Sequence, residues 1–306
     1  MCSLGEENRA DCSFWKAALA AAGETDGAAV TDIASGAAVP WSGNALGLVD
    51  LAFTSGRGAP RVVAVIGAAG AGKTTLLGSW YLMLSRGALD VASHAFAGSY
   101  TLSGWENIAH SLRWANDGGP GFPPHTPSGE GRAPGMLHLA LRRGDHIIED
   151  VLFADAPGEW FRAWSVNRDA PEAEGARWLA THASVIILAA DCEALAGPEK
   201  GNTRMTLQAL AQRIASERRG RPVALAWTKA DIEVPEAVRT SVLTAVTTHL
   251  GDIPVFEVSV KEHHATAPEA SFVRLMNWSI SAPHAKTQPA LERIATDDPF
   301  MVYGHA

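Results

Sequence analysis

The stretch that most limits what this chain can become is residues 61–75, RVVAVIGAAGAGKTT. An apolar, β-branched run ends at Gly67, a glycine-rich turn follows, and a helical stretch, TLLGSWYLMLSRG, begins at once. An unbroken apolar run marks a strand buried on both faces, as parallel strands are. Runs of the same kind recur at 146–155 (HIIEDVLFAD), 184–191 (SVIILAAD), 221–231 (RPVALAWTKAD) and 253–260 (IPVFEVSV). Helical candidates lie between or after them, at about 203–219, 235–250 and 268–280. Strands alternating with helices predict an α/β domain, a mostly parallel sheet covered on both faces. MLHLALRRGDHIIEDVLF instead predicts two strands joined by a hairpin at Arg143–Gly144–Asp145, hence one antiparallel strand at the sheet edge.

This domain is expected over residues 59–282 of the 306. Residues 1–58 are Ala- and Gly-rich and form an N-terminal extension, with short helices predicted in DCSFWKAALAAAG and NALGLVDLAF. Residues 98–134 are a long Gly- and Pro-rich insertion with a possible helix at GWENIAHSLRWAN, and residues 283–306 are a polar tail. Long irregular stretches inside compact domains are commonly functional.

The turn after the first strand fits G-x-x-x-x-G-K-[ST]: Gly67, Ala68, Ala69, Gly70, Ala71, Gly72, Lys73, Thr74, followed by Thr75. Small residues let backbone N–H groups approach phosphate oxygens closely, and the helix N-terminus adds partial positive charge. In such a loop Lys73 bridges the β- and γ-phosphates and the Thr74 hydroxyl ligates Mg²⁺. The motif points to a nucleoside triphosphate without naming the base.

DAPGEW, residues 155–160, closes the next buried strand. Asp155 reads as a helix cap by itself, but beside a phosphate loop it is a candidate Mg²⁺ acid. Gly158 lets a backbone N–H meet a γ-phosphate with no Cβ in the way. The base is addressed by WTKAD, residues 227–231. Asp231 can accept from the N1–H and 2-amino groups of guanine, donors that adenine lacks. Each charged hydrogen bond contributes roughly 1.5–3 kcal/mol, enough to discriminate by orders of magnitude. The Lys229 stem can lie along the base plane, and Thr228 opens the motif. Ser259 and Val260, followed by Lys261, end the last strand and are candidates to contact the guanine O6.

With these motifs in this order, the chain resembles P-loop GTPases of the translation-factor-related, Ras-like class. GAAGAGKT, DAPGE, TKAD and SVK match that class's phosphate loop, second switch, base motif and final base loop over about residues 61–261. More narrowly, FAGSYTLSGWE, HTP, LHLAL and DAPGEWF resemble the double-GTPase type of domain found in bacterial conflict systems. The resemblance implies a three-layer G domain with a sheet of six strands, one of them an antiparallel edge strand. It implies bound GTP or GDP with Mg²⁺, hydrolysis of GTP, and a protein effector or activator meeting the switch regions. It also implies a first-switch threonine that ligates Mg²⁺ and senses the γ-phosphate. Thr126 in PPHTP is favoured because it lies just upstream of the expected edge strand, and Thr101 in SYTLSG is the rival.

The chain departs from the class in places. Thr228 stands where the class more often has Asn. Ala69 holds a position often given to glycine, leaving less room for an arginine supplied in trans. Glu159 stands where many members carry the glutamine that orients the attacking water. An ionised glutamate cannot donate to a γ-phosphate. It either acts as a base toward water or pairs with a cation such as Arg162. Slow or partner-stimulated hydrolysis follows as an expectation. The alternatives are a GTP-binding scaffold or sensor with little hydrolysis and, further off, a P-loop ATPase.

Other features set bounds. Hydrophobic residues at 47% and charged ones at 19% exclude global disorder. A net charge of −8 without a basic block argues against nucleic acid as a partner. Three cysteines, Cys2, Cys12 and Cys192, with no signal-peptide pattern and no bilayer-length apolar run, lead us to expect a soluble, cytoplasmic protein with no membrane span. Trp160, Trp164 and Trp178 read either as core or as an aromatic face for an effector. Asp191 reads as a helix cap or a cleft residue. His125, His138 and the pair His263–His264 lack metal spacing and read as surface or core residues.

Overall fold

The computed structural model describes residues 45–87, 94–113, 134–260 and 271–283. Backbone contacts divide the chain into Met1–Val39 and Pro40–Ala306, and every described residue belongs to the second unit. Thr126, His125, Lys261, His263 and His264, and the helix expected in DCSFWKAALAAAG, lie outside the described residues.

Among the described residues seven strands form one sheet in the order β2-β3-β4-β1-β5-β6-β7. They are β1 (Arg61–Ile66), β2 (Ala95–Gly98), β3 (Gly135–Arg142), β4 (Ile148–Asp155), β5 (Val185–Asp191), β6 (Val223–Thr228) and β7 (Val255–Val258). Among the described residues, besides a single helical turn at Leu51–Thr54, the helices are α1 (Lys73–Ser85), α2 (Leu102–His110), α3 (Gly158–Val166), α4 (Glu174–His182), α5 (Cys192–Ala196), α6 (Lys200–Glu217), α7 (Glu236–Leu250) and α8 (Ser271–Ser281). No described helix is long and apolar enough to cross a membrane.

The sheet is mostly parallel, and antiparallel pairing is confined to one side, where β3 lies between β2 and β4. The count is seven rather than six because β2 pairs outside β3, so the reversed strand is second from the edge. This strand escapes sequence reading. It is AFAG, four residues of mostly low β-propensity, and its register shifts between Phe96 and Gly98. Only pairing with β3 makes it a strand. The predicted hairpin forms at Arg143–His146, with the Arg143 N–H donating to the Ile147 carbonyl at 2.9 Å.

Residues of β1 alternate between two cores. Val62, Ala64 and Ile66 pack with Trp160, Phe161, Trp164 and the inner residues of α4, α6 and α7. Val63 and Val65 pack with Leu76, Leu77 and Trp80 of α1, Trp105 of α2 and Phe272 of α8. Burial on both faces is why the strand sequence is continuously apolar rather than alternating. Trp160 and Trp164 are core residues, 7% and 0% exposed, so neither forms an exposed face. Leu46, fully buried, exchanges backbone hydrogen bonds with Met136 and continues the sheet toward the N-terminal side.

A buried polar knot ties β2 and α2 to β3. The Tyr100 N–H donates to His138 Nδ1 at 3.0 Å, so that nitrogen carries no proton. His138 Nε2 is therefore protonated and donates to Asp150 Oδ1 at 2.8 Å. The His138 N–H donates to Thr101 Oγ1, and Ser99 and Trp105 Nε1 donate to the His138 carbonyl. His138 is thus a satisfied core histidine. Thr101 is fully buried within this knot.

Candidate functional site

β1 lies between β4 and β5, and the chain crosses over it to reach β5. In open parallel sheets, ligands bind at the carboxyl ends of the strands where the order reverses in this way. Here the cleft has a volume of about 430 Å³. Its lining includes Ala69 through Thr75, Gly158, Glu159, Thr228, Lys229, Asp231 and Val260. Residues brought together from β1, β4, β6 and β7 thus meet in one cavity.

Two left-handed glycines, Gly70 (φ 76°) and Gly72 (φ 74°), shape the loop, and α1 begins at Lys73. The Lys73 ammonium donates to the carbonyls of Gly67 at 3.1 Å and Ala68 at 2.8 Å. It also lies 5.7 Å from the centroid of the Phe161 ring. Burial lowers its pKa to about 8, against the opposing pull of Asp155, Glu159 and Asp191. The Thr74 hydroxyl donates to Asp155 Oδ1 at 2.9 Å. A hydroxyl beside a carboxylate is a set of hard oxygen donors, the type that suits Mg²⁺.

Gly158 opens α3 against the phosphate loop. A Cβ there would lie 2.0 Å from the Ala69 nitrogen and 2.4 Å from the Ala68 carbonyl carbon. Glycine is therefore required by backbone contact with the loop, a reason beyond access to a phosphate. Glu159, in the first turn of α3, is exposed and lines the cleft. Among the described ion pairs none joins it to Arg162.

At the other end of the cleft, Ser259 is buried and its hydroxyl donates to Asp231 Oδ1 at 2.7 Å. Its side chain thus engages the acid of the base motif. The Thr228 hydroxyl donates to the Ala190 carbonyl at 3.2 Å, tying β6 to β5. Lys229 has φ 54° and donates to Asp191 Oδ2 at 2.9 Å and Glu193 Oε2 at 2.7 Å. Thr126 lies outside the described residues, and Thr101, at the start of α2 and buried against β3, does not line the cleft.

Sequence reading passed over Glu193 and Phe161 and left Asp191 open between a helix cap, which it is at the start of α5, and a cleft residue. Asp191 carried a usable signal, since it is an acid at the carboxyl end of a central parallel strand. Glu193 and Phe161 carried none, because their roles come from contacts across elements.

The fold and this cleft define a P-loop nucleotide-binding domain. The chain belongs to the Double-GTPase 2 family, whose model matches residues 61–279, and is a P-loop GTPase that binds guanine nucleotide. No curated protein matches it. Similar solved structures include one carrying the name nucleolar GTP-binding protein 1, from Plasmodium falciparum. It is 16% identical, with 71% of this chain and 87% of that chain covered and a TM-score of 0.37. Another is an ADP-ribosylation-factor-like GTP-binding protein, or small COPII coat GTPase, of Encephalitozoon cuniculi in complex with GDP. It is 13% identical, with 76% and 83% covered and a TM-score of 0.32.

Proposed function

We propose that the chain is a Mg²⁺-dependent GTP hydrolase that works as a molecular switch. The observation that carries this reading is the single cleft joining Lys73, Glu159 and Asp231. Backbone groups of Gly67, Ala68, Ala69, Gly70, Ala71 and Gly72 cradle the phosphates with Thr75, and Lys73 bridges the β- and γ-oxygens. Thr74 and Asp155 would hold Mg²⁺, with Thr126 completing the set from the first switch. The metal, when bound, neutralises charge developing on the phosphate oxygens. The Gly158 N–H meets the γ-phosphate. Asp231, held by Ser259, reads the guanine N1–H and 2-amino groups, Lys229 lies along the base, and Thr228 and Val260 close the base pocket.

Glu159 is the residue beside the attacking water. Its carboxylate accepts a hydrogen bond from water but offers none to the γ-phosphate. Hydrolysis by the isolated chain is therefore slow, and a protein partner at α3 and the first switch accelerates it. A role in a bacterial conflict system, in the cytoplasm and without nucleic acid as a partner, fits this assignment.

One observation favours a second reading, a GTP-holding scaffold or sensor. The backbone of Ala69 is already in contact with Gly158, which narrows access for an arginine supplied in trans. Titration with GTP and ATP, followed by phosphate release under single turnover, tests both readings. GTP should bind at least about tenfold more tightly, the lower end of one charged hydrogen bond. Equal or tighter ATP binding would overturn the GTPase reading. Full occupancy by GTP with no release, even with candidate partners, would favour the scaffold.

A further inference from the structure

Lys229 is held at both ends. Its backbone sits in the left-handed region at φ 54°, a strained position for a side-chain-bearing residue. That turn is anchored by the Ala230 N–H on the Val258 carbonyl at 3.1 Å and the Ile232 N–H on the Lys229 carbonyl at 2.9 Å. The ammonium is anchored by Asp191 Oδ2 and Glu193 Oε2 at 2.9 and 2.7 Å. Asp191 divides its two oxygens. Oδ1 accepts the N–H groups of Glu193 and Ala194 at the start of α5, and Oδ2 faces the lysine. Asp191 is only 6% exposed, so it is fixed by its own strand and helix before it holds anything else.

We infer that Asp191 and Glu193 are positioning residues that make the Lys229 stem a rigid support for the nucleotide base. The inference rests on the reading above, in which the base lies beside Asp231. Lys229, Glu193 and Asp231 line the same cavity, so the clamped stem borders the space that the base would enter. An unclamped lysine loses about 1.5–2 kcal/mol of rotamer entropy when a ligand immobilises it. A stem immobilised within the fold loses little more, and that difference passes into affinity. Burial by itself lowers the pKa of Lys229. The hydrogen bonds that it donates to Glu193 and Asp191 outweigh this and raise the pKa, so the ammonium stays charged and the clamp persists at neutral pH. Asp191 dominates because it is buried, whereas Glu193 is mostly exposed and its contact is screened by solvent.

The test uses the full chain, titrated calorimetrically with GDP and, separately, with pyrophosphate, both with Mg²⁺. Asp191→Asn keeps a capping side chain for α5 and removes the charge. It should weaken GDP about fivefold, and Glu193→Gln about twofold, while pyrophosphate binding stays within twofold of wild type. In a Lys229→Met background the Asp191→Asn effect should vanish, because the acid acts through the lysine. Unchanged GDP affinity in Asp191→Asn would overturn the inference. So would an equal loss in the Lys229→Met background, or a parallel loss of pyrophosphate, which would mark a general structural role. A wild-type chain that binds pyrophosphate but does not prefer GDP to ADP would overturn the base-site reading itself, a result distinct from the others.

Discussion

The two ends of the cleft are built on opposite plans. At the end proposed to take the base, polar side chains are supported by neighbours that hydrogen-bond to them. Ser259 supports Asp231, and Asp191 and Glu193 support Lys229. At the phosphate end, the polar groups are paired with one another. Lys73 donates to its own loop, Thr74 donates to Asp155, and Gly158 rests on the Ala68–Ala69 backbone. Phosphates and Mg²⁺ would have to exchange those bonds for their own. A preorganised end confers selectivity at low cost, because little ordering remains to be done on binding. An end whose bonds must be exchanged responds to what is bound, which is the physical requirement for a switch.

The contrast is most directly broken at Gly158. Gly158→Ala places a methyl group within 2.0 Å of the loop backbone, which no rotamer change relieves. Phosphate release under single turnover should fall by at least about 100-fold, while the base end keeps its preference for GDP over ADP. Loss of that preference together with turnover would mean the two ends are not separable.

Asp231→Asn attacks the other end. It replaces one acceptor by a donor, and GDP should weaken by about 10- to 100-fold while xanthine nucleotides gain. Competition binding with GDP and XDP measures this. An unchanged ratio removes Asp231 from base recognition.

The pH dependence sharpens the comparison, because burial pushes the Lys73 pKa down from an ordinary 10.5 to about 8. Between those values the unfolded chain binds more protons than the folded one, so folding gains stability as pH rises through that window. Phosphate binding requires the charged lysine and moves the other way. GDP affinity should fall as pH rises through about 8, by at most about tenfold per pH unit. Isothermal titrations from about pH 7 to about pH 9 would show the decline, and a flat profile would mean that Lys73 stays charged.

Thr101→Ala, outside the cleft, has the smallest expected effect on binding. It leaves the buried His138 N–H without its acceptor, so stability should drop by about 1–3 kcal/mol. GDP affinity should stay within twofold, since Thr101 is held against β3 away from the cleft. Thermal melting with and without GDP separates the two effects. A large loss of GDP binding at unchanged stability would return Thr101 to the first switch.

Much of this molecule is visible in its residues alone. Four strands, β1, β4, β5 and β6, announce themselves as apolar runs because both of their faces are covered, so burial is written locally; β7 reads the same way but buries one face only, with Val255 and Glu257 exposed. The phosphate loop is equally legible, since close approach of backbone to phosphate demands small residues at set spacings, and Lys73 and Thr74 follow by position. TKAD, placed after a strand, makes Asp231 a candidate to read the base for the same reason: one acid at one spacing carries the signal. What depended on folding is of a different kind. β2 exists because β3 is there to pair with a four-residue stretch of weak propensity. Thr101 was a plausible metal ligand until its hydroxyl was found accepting from His138, 37 residues away. Gly158 read as a glycine for the nucleotide, and the fold adds that it is a glycine for the loop. Asp191 and Glu193 reach Lys229 from a neighbouring strand and helix. The sequence by itself determined the P-loop GTPase class and singled out the candidates to bind phosphate and guanine, because those motifs lie within single short segments. Only the tertiary structure decided how those groups are held before any ligand arrives, because the holding is done by residues distant along the chain and adjacent only in the packed sheet.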